Sequence, residues 1–222
     1  MRSACGDGSG ASLSEIVVKP HVMILVADLG DIAVIAPALT AAAFVLVVRR
    51  RWREAIAWLL AFAACVLVTG MLKAFVGTFE FSLFDRAIRA VSFPSGHAAI
   101  SVVFYDGLAA LLWFGSRAML PRILAVGLAL LQALIVVAVY RLHWHPLIDI
   151  VVGLALGALC LAGAWRRAAP RPAERGELAG IAIVATAIVL ALHGERLDDK
   201  KLVDRMLGRA PIESSLAVLP AG

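Results

Sequence analysis

Apolar residues gather into six blocks, at about 30–48, 55–72, 97–115, 123–140, 147–165 and 178–192 of a 222-residue chain. A helix needs roughly 20 such residues to cross the hydrocarbon core of a bilayer, so each block is long enough to span, the last only just. Inside a membrane every backbone polar group must be satisfied within the structure, and helices do this segment by segment. The expected fold is therefore all-α, a polytopic membrane helical bundle of about six transmembrane helices. Composition agrees: 62% of residues are hydrophobic and 17% charged, against roughly 45–50% and 25% in soluble domains. A soluble enzyme, a coiled coil and a disordered tail are excluded.

The net charge of +5 does not point to nucleic acid, because the arginines sit in short clusters between apolar blocks, as juxtamembrane charges do. Arg49, Arg50, Arg51 and Arg53 follow the first block, Arg117 and Arg122 the third, and Arg166, Arg167, Arg171 and Arg175 the fifth. Positive residues in short loops are retained in the cytoplasm, which sends the alternate loops, 73–96 and 141–146, to the outer face. Lys73, Arg86, Arg89 and Arg141 in those outer loops break the rule and call for a reason. The tail after the sixth block is basic too, which leaves its side open.

Three regions follow: a polar segment over 1–20, a membrane domain over 21–195 and a charged tail over 196–222. The first lacks the apolar core of a cleavable signal. Asp28 and Asp31 interrupt the apolar stretch that leads into the first block, making it either an interfacial helix or an extension of the first span. Cys5, Cys65 and Cys160 suggest neither a disulfide framework nor a zinc cluster.

The chemistry-bearing residues concentrate in the two outer loops. Ser95 precedes the apolar run from Ala98 and suits a helix N-cap, with Gly96 and His97 in the first turn. Free N–H groups at such a terminus, with the partial positive charge of the helix, make an anion site. Glycine there lets a phosphate approach the backbone. In the second loop Pro146 suits the first helical position and leaves His145 at the helix mouth. Asp149, four residues on, can accept a hydrogen bond from one ring nitrogen and orient the other, so His145 is a candidate nucleophile. Lys73 adds a compact positive charge, and Arg141 a planar fork able to grip two phosphate oxygens. His143 is a possible metal partner for His145, although its spacing to Asp149 does not fit a triad.

The stretch Ser92-Phe93-Pro94-Ser95-Gly96-His97-Ala98-Ala99 resembles the central signature of the type-2 phosphatidic acid phosphatases, whose membrane members share a core with vanadium haloperoxidases and bacterial acid phosphatases. His145-Pro146-Leu147-Ile148-Asp149-Ile150 with Gly153 resembles the third signature, and Leu72-Lys73 with Val76-Gly77 the start of the first. The likeness runs over about 55–165, in the right order, so the phosphatase core would come from the second to fifth spans. There are two departures. Glu80-Phe81 stand where the family has Arg-Pro, and Val139 stands where the third motif has its arginine. Arg141 is a candidate substitute for that arginine, and Arg86 and Arg89 for the other lost charge.

The resemblance implies an integral-membrane, metal-independent lipid phosphatase without cofactors. His145 would form a phosphohistidine, Asp149 would stabilise its imidazolium, and His97 would protonate the leaving oxygen. Lys73, Arg141, Ser95 and Gly96 would hold the phosphate oxygens. The expected partner is a lipid phosphate within membrane lipids: an isoprenoid pyrophosphate such as the undecaprenyl carrier, phosphatidic acid or phosphatidylglycerol phosphate, or lipid A. Small size and high Ala, Leu, Val and Arg content point to a bacterial inner membrane, with the site on its periplasmic or outer face. The alternatives are a lipid phosphotransferase using the same intermediate, and a non-catalytic lipid-phosphate binder or transporter.

Overall fold

A computed structural model describes residues 20–78, 93–115, 117–168, 181, 185–189 and 191. The polar segment over 1–20, apart from its last residue, and the tail over 196–222 lie outside the described residues, as do Glu80, Arg86 and Arg89. The described elements are helical: α1 (Pro20–Asp28), α2 (Ile32–Val48), α3 (Trp52–Thr78), α4 (Gly96–Ser101), a π-turn (Val102–Asp106), α5 (Gly107–Gly115), α6 (Met119–Arg141) and α7 (Leu147–Ala168). The protein is an all-α polytopic bundle. Four helical stretches are long and apolar enough to cross a membrane, and α1 with α2, bent by 46° at their junction, make up to a fifth. Most of the sixth block falls outside the described residues, with helix at 181, 185–189 and 191.

The second, third, fourth and fifth blocks become α3, α4–α5, α6 and α7. The third block, α4–α5, forms the centre: 78% of its most apolar stretch within Gly96–Gly115 is buried, against 28% in each of α3, α6 and α7, which turn most of their apolar surface outward. Bilayer-facing leucines and isoleucines satisfy that surface without any protein partner.

Small residues set how closely the helices approach. On α7, a Cβ added to Gly153 would stand 2.5 Å from the Ser95 carbonyl oxygen and 3.2 Å from the Ala98 Cβ, and Gly157 meets α4 at Ala99 in the same way. These two glycines, four residues apart on one face, bring the backbones of α4 and α7 into contact. The central span is also interrupted. In the π-turn, Val103 offers its carbonyl to the buried indole of Trp58 on α3, with Nε1 donating over 2.7 Å. Gly107 leaves room for that indole, since a Cβ there would sit 2.5 Å from Trp58 Nε1. Asp106 ends the π-turn.

The helix ends sort into two faces. Arg53 at the start of α3 and Arg167 at the end of α7 line one groove at one end of the bundle. At the other end the C-terminus of α3, the N-terminus of α4, the α6–α7 turn and the α1–α2 junction come together.

Candidate active site

The α6–α7 turn is built by a helix-stop motif. His143 has φ 54°, its N–H donates to the Tyr140 carbonyl over 3.0 Å, and the Trp144 N–H donates to the Val139 carbonyl over 3.3 Å. This is the Schellman pattern with histidine in the left-handed position where glycine is usual. His143 is exposed, and its place in the turn is a backbone one. Among the described residues no three His, Cys, Asp or Glu side chains gather as a metal-binding group. Pro146 then opens α7, accepting from the N–H groups of Asp149 and Ile150.

The turn sets His145 over the first turn of α7. Its Nδ1 lies 3.6 Å from Asp149 Oδ2, with the two side chains 13% and 0% exposed. That is slightly longer than a hydrogen bond, as such contacts often are before a substrate draws them in. Burial, and then the charge of neighbouring His97, lower the His145 pKa from its ordinary value; Asp149 pulls the other way and Lys73 adds to the lowering. The lowering favours the uncharged ring, and with Nδ1 turned to Asp149 it is Nε2 that is left for a substrate.

Ser95 caps α4 as its position predicts: its Oγ accepts from the Ala98 N–H over 3.4 Å. Its own N–H donates to the Asp149 carbonyl over 3.0 Å, which ties the two motifs together through the backbone. The peptide bond between Phe93 and Pro94 is cis. Ser95 is buried, so its hydroxyl oxygen serves the cap, leaving its hydrogen for any further donor role. Gly96 and His97, at the start of the helix, have N–H groups without an intrahelical acceptor. Lys73 reaches this point from α3: its Nζ is 3.8 Å from where a Cβ on Gly96 would stand.

The His97 and His145 rings are neighbours, tilted by 50° to one another with centroids 6.4 Å apart. A phosphoryl group between them would have an imidazole on either side, an ammonium beside it and backbone N–H groups beneath. Of the residues singled out in the sequence, His97, His145, Asp149, Lys73, Ser95 and Gly96 converge. Arg141 ends α6 with an exposed side chain and forms no hydrogen bond or ion pair among the described residues, so it is not among those that converge. Arg86 and Arg89 fall outside the described residues.

Two neighbours had no role in the sequence reading. Trp144 sets its ring edge-on to His97, 5.8 Å between centroids. Asp31, read only as an interruption of an apolar stretch, places Oδ2 3.6 Å from His97 Nε2. The available signal was its charge: a carboxylate next to a membrane span is by default a functional hypothesis.

A family model described as PAP2 superfamily matches residues 54–172, more than half of the chain. Comparison with curated proteins and with solved structures returns no match for either.

Proposed function

The chain belongs to the PAP2 superfamily, and from that premise we propose that it is a membrane phosphatase that hydrolyses a lipid phosphomonoester or diphosphate through a phosphohistidine on His145. The family and the apolar spans fit a membrane lipid phosphatase. The observation that carries the finer reading is the pair of neighbouring imidazoles, 6.4 Å apart, with Asp149 behind one of them and Lys73 beside the helix start at Gly96.

In the first step His145 Nε2 attacks phosphorus as the bond to the leaving oxygen breaks, and protonated His97 gives that oxygen its proton. Asp149 balances the charge that forms on the His145 ring. In the second step water attacks the phosphorus of the phosphohistidine, His97 accepts the water's proton, and the bond to Nε2 breaks to release orthophosphate. Lys73, Gly96 N–H and the Ser95 hydroxyl, joined by Arg141 from the end of α6, are the donors that meet charge moving onto the equatorial oxygens. The residues invoked supply nucleophile, acid and charge stabilisation from this chain alone.

The site opens at the end of the bundle opposite the Arg53–Arg167 groove. By the charge rule that end faces the periplasm or exterior of a bacterial inner membrane, where a lipid headgroup would enter laterally from the outer leaflet. Isoprenoid pyrophosphates, phosphatidic acid or phosphatidylglycerol phosphate, and lipid A phosphates all present the required group.

The test is orthophosphate release by purified protein in detergent across those three lipid classes, with lipid acceptors added in parallel. Release that is abolished in both His145→Ala and His97→Ala and insensitive to chelators is expected. Phosphate appearing on an added lipid hydroxyl instead would make the protein a phosphotransferase. Binding without release would make it a lipid-phosphate binder, the reading favoured by Glu80-Phe81 in place of Arg-Pro.

A further inference from the structure

The junction between α1 and α2 is held against the site from three directions. The Tyr105 hydroxyl, from the π-turn of the central span, donates to the Leu29 carbonyl over 2.9 Å. Gly30 presses against α6 and the site together: a Cβ there would stand 2.7 Å from Ile135 Cγ2 and 3.6 Å from His97 Cδ2. Asp31 caps α2, its Oδ1 accepting from the Ala33 N–H over 2.8 Å. With Oδ1 fixed in that way, Oδ2 points at His97 Nε2, 3.6 Å away, the two side chains being 15% and 26% exposed.

From this geometry we infer that Asp31 is the positioning residue of His97, a carboxylate that fixes the ring of the acid–base histidine as Asp149 fixes the ring of the nucleophile. The inference rests on the phosphohistidine reading above. Asp31 lies outside the matched residues 54–172, so this carboxylate is contributed by a junction that the family model does not cover. The two imidazoles are held through opposite nitrogens, His145 by Nδ1 and His97 by Nε2. The Nε2 edge of His97 is turned to the α1–α2 junction, which leaves Nδ1 to carry the proton to the leaving oxygen. A negative charge behind the ring also balances the positive charge that His97 bears as an acid. Lys73, which acts on the same pair of rings, has the opposite sign to Asp31 and does not supply this, and Asp149 is engaged with His145.

The cap and the pairing can be separated. Asp31→Asn keeps an oxygen to cap α2, since Asn and Asp are equivalent there, and removes the charge. Asp31→Ala removes both. The discriminating readout is leaving-group dependence, because an acid matters most when the departing oxygen is strongly basic. Two esters in detergent serve as probes: a long-chain alkyl phosphate, and a nitrophenyl phosphate bearing an alkyl chain of the same length.

General acid–base catalysis contributes about 10²–10⁴-fold, and Asp31→Asn is expected to lose part of it: roughly 10- to 100-fold in kcat on the alkyl phosphate, with KM little changed and a clearly smaller loss on the nitrophenyl ester. Asp31→Ala should show the same split and in addition unfold at lower temperature. Equal losses on both esters, or none on either, in a wild-type-like Asp31→Asn protein would overturn the role of Asp31 while leaving the phosphatase reading intact. A wild-type protein that releases phosphate from neither ester, or a His145→Ala protein as active as wild type, would bring down the phosphatase reading, and with it this one.

Discussion

Two turns of this protein are made by the same device and end in different things. At the α2–α3 turn Arg50 takes φ 60°, its N–H donates to the Val47 carbonyl over 2.9 Å, and the Arg51 N–H donates to the Leu46 carbonyl over 2.8 Å. At the α6–α7 turn His143, Trp144 and the carbonyls of Tyr140 and Val139 repeat the pattern. Each turn then delivers a basic side chain to an acid on the next helix. Arg51 meets Glu54 in a fork, with Nε and Nη2 at 2.7 and 3.1 Å from the two carboxylate oxygens. His145 meets Asp149 through a single contact at 3.6 Å. The first pair uses both carboxylate oxygens and two guanidinium nitrogens. The second leaves one ring nitrogen for something else, and a group that must gain and lose charge during a reaction cannot be locked as tightly as one that only ties a turn to the start of the next helix.

If the contrast is sound, breaking the looser pair should damage chemistry and breaking the tighter one should damage the fold. The largest effect is expected from Asp149→Asn. A carboxylate-to-amide change behind a catalytic imidazole costs about 10⁴-fold in turnover in serine proteases, where the ring adopts the wrong tautomer, and a loss of that order in kcat is expected here. Steady-state phosphate release by protein that elutes and melts as wild type is the check; a loss below tenfold would place Asp149 outside the reaction.

Glu54→Ala should do the reverse. Removing one member of a buried ion pair leaves the other uncompensated, and typically costs 3–5 kcal/mol. Arg51 and Glu54 are both buried, so a marked fall in thermal stability in detergent is expected. Turnover per folded molecule should be kept, because the pair is at the opposite end of the bundle from His145. A stable Glu54→Ala protein with impaired turnover would erase the distinction between the two turns.

The pH dependence sharpens the same point. His145 acts as a nucleophile only when neutral, and its pKa is lowered by burial and by the nearby His97, against the opposing pull of Asp149. A lowered value keeps the ring neutral to lower pH. The acid limb of kcat/KM, which reports ionisation of the free enzyme, should therefore fall below the ordinary imidazole range of about 6.5. In Lys73→Ala the limb should move up, since the lysine's positive charge adds to the lowering. A limb well above neutrality in the wild type would contradict the environment described for His145.

Much of this was legible in the sequence, for physical reasons that also mark where legibility stopped. Block length announced the spans because a bilayer imposes it. Ser95 announced its cap because that position needs a short side-chain oxygen. The spacing of His145 and Asp149 announced their meeting because residues four apart share a helix face. The π-turn at Val102–Asp106 left no such mark: its extra backbone carbonyl is answered by Trp58, 45 positions away, and periodicity says nothing of distant partners. Asp31 escaped for the same reason, being joined to His97 only by the way α1 and α2 fold back onto the central span. Arg141 was legible as a charge, but its exposed position at the end of α6 depends on where the helix stops. The Schellman turn determines that, and histidine in the left-handed position is not its usual signal.

The smallest effect tests the turn itself. His143 holds φ 54°, a conformation that costs a residue with a Cβ about 1–2 kcal/mol and glycine almost nothing. His143→Gly should relieve part of that strain, offset by glycine's greater freedom in the unfolded chain. A net gain below about 1 kcal/mol is expected, read as a rise of a few degrees or less in thermal unfolding. Turnover and its response to chelators should be unchanged, since the exposed imidazole has a backbone position to fill and no part in the chemistry. If His143→Gly instead abolished phosphate release while melting normally, the side chain rather than its backbone would matter. The α6–α7 turn would then have two chemical histidines where the α2–α3 turn has none, and the difference between the turns would lie in what they carry as much as in how tightly they close.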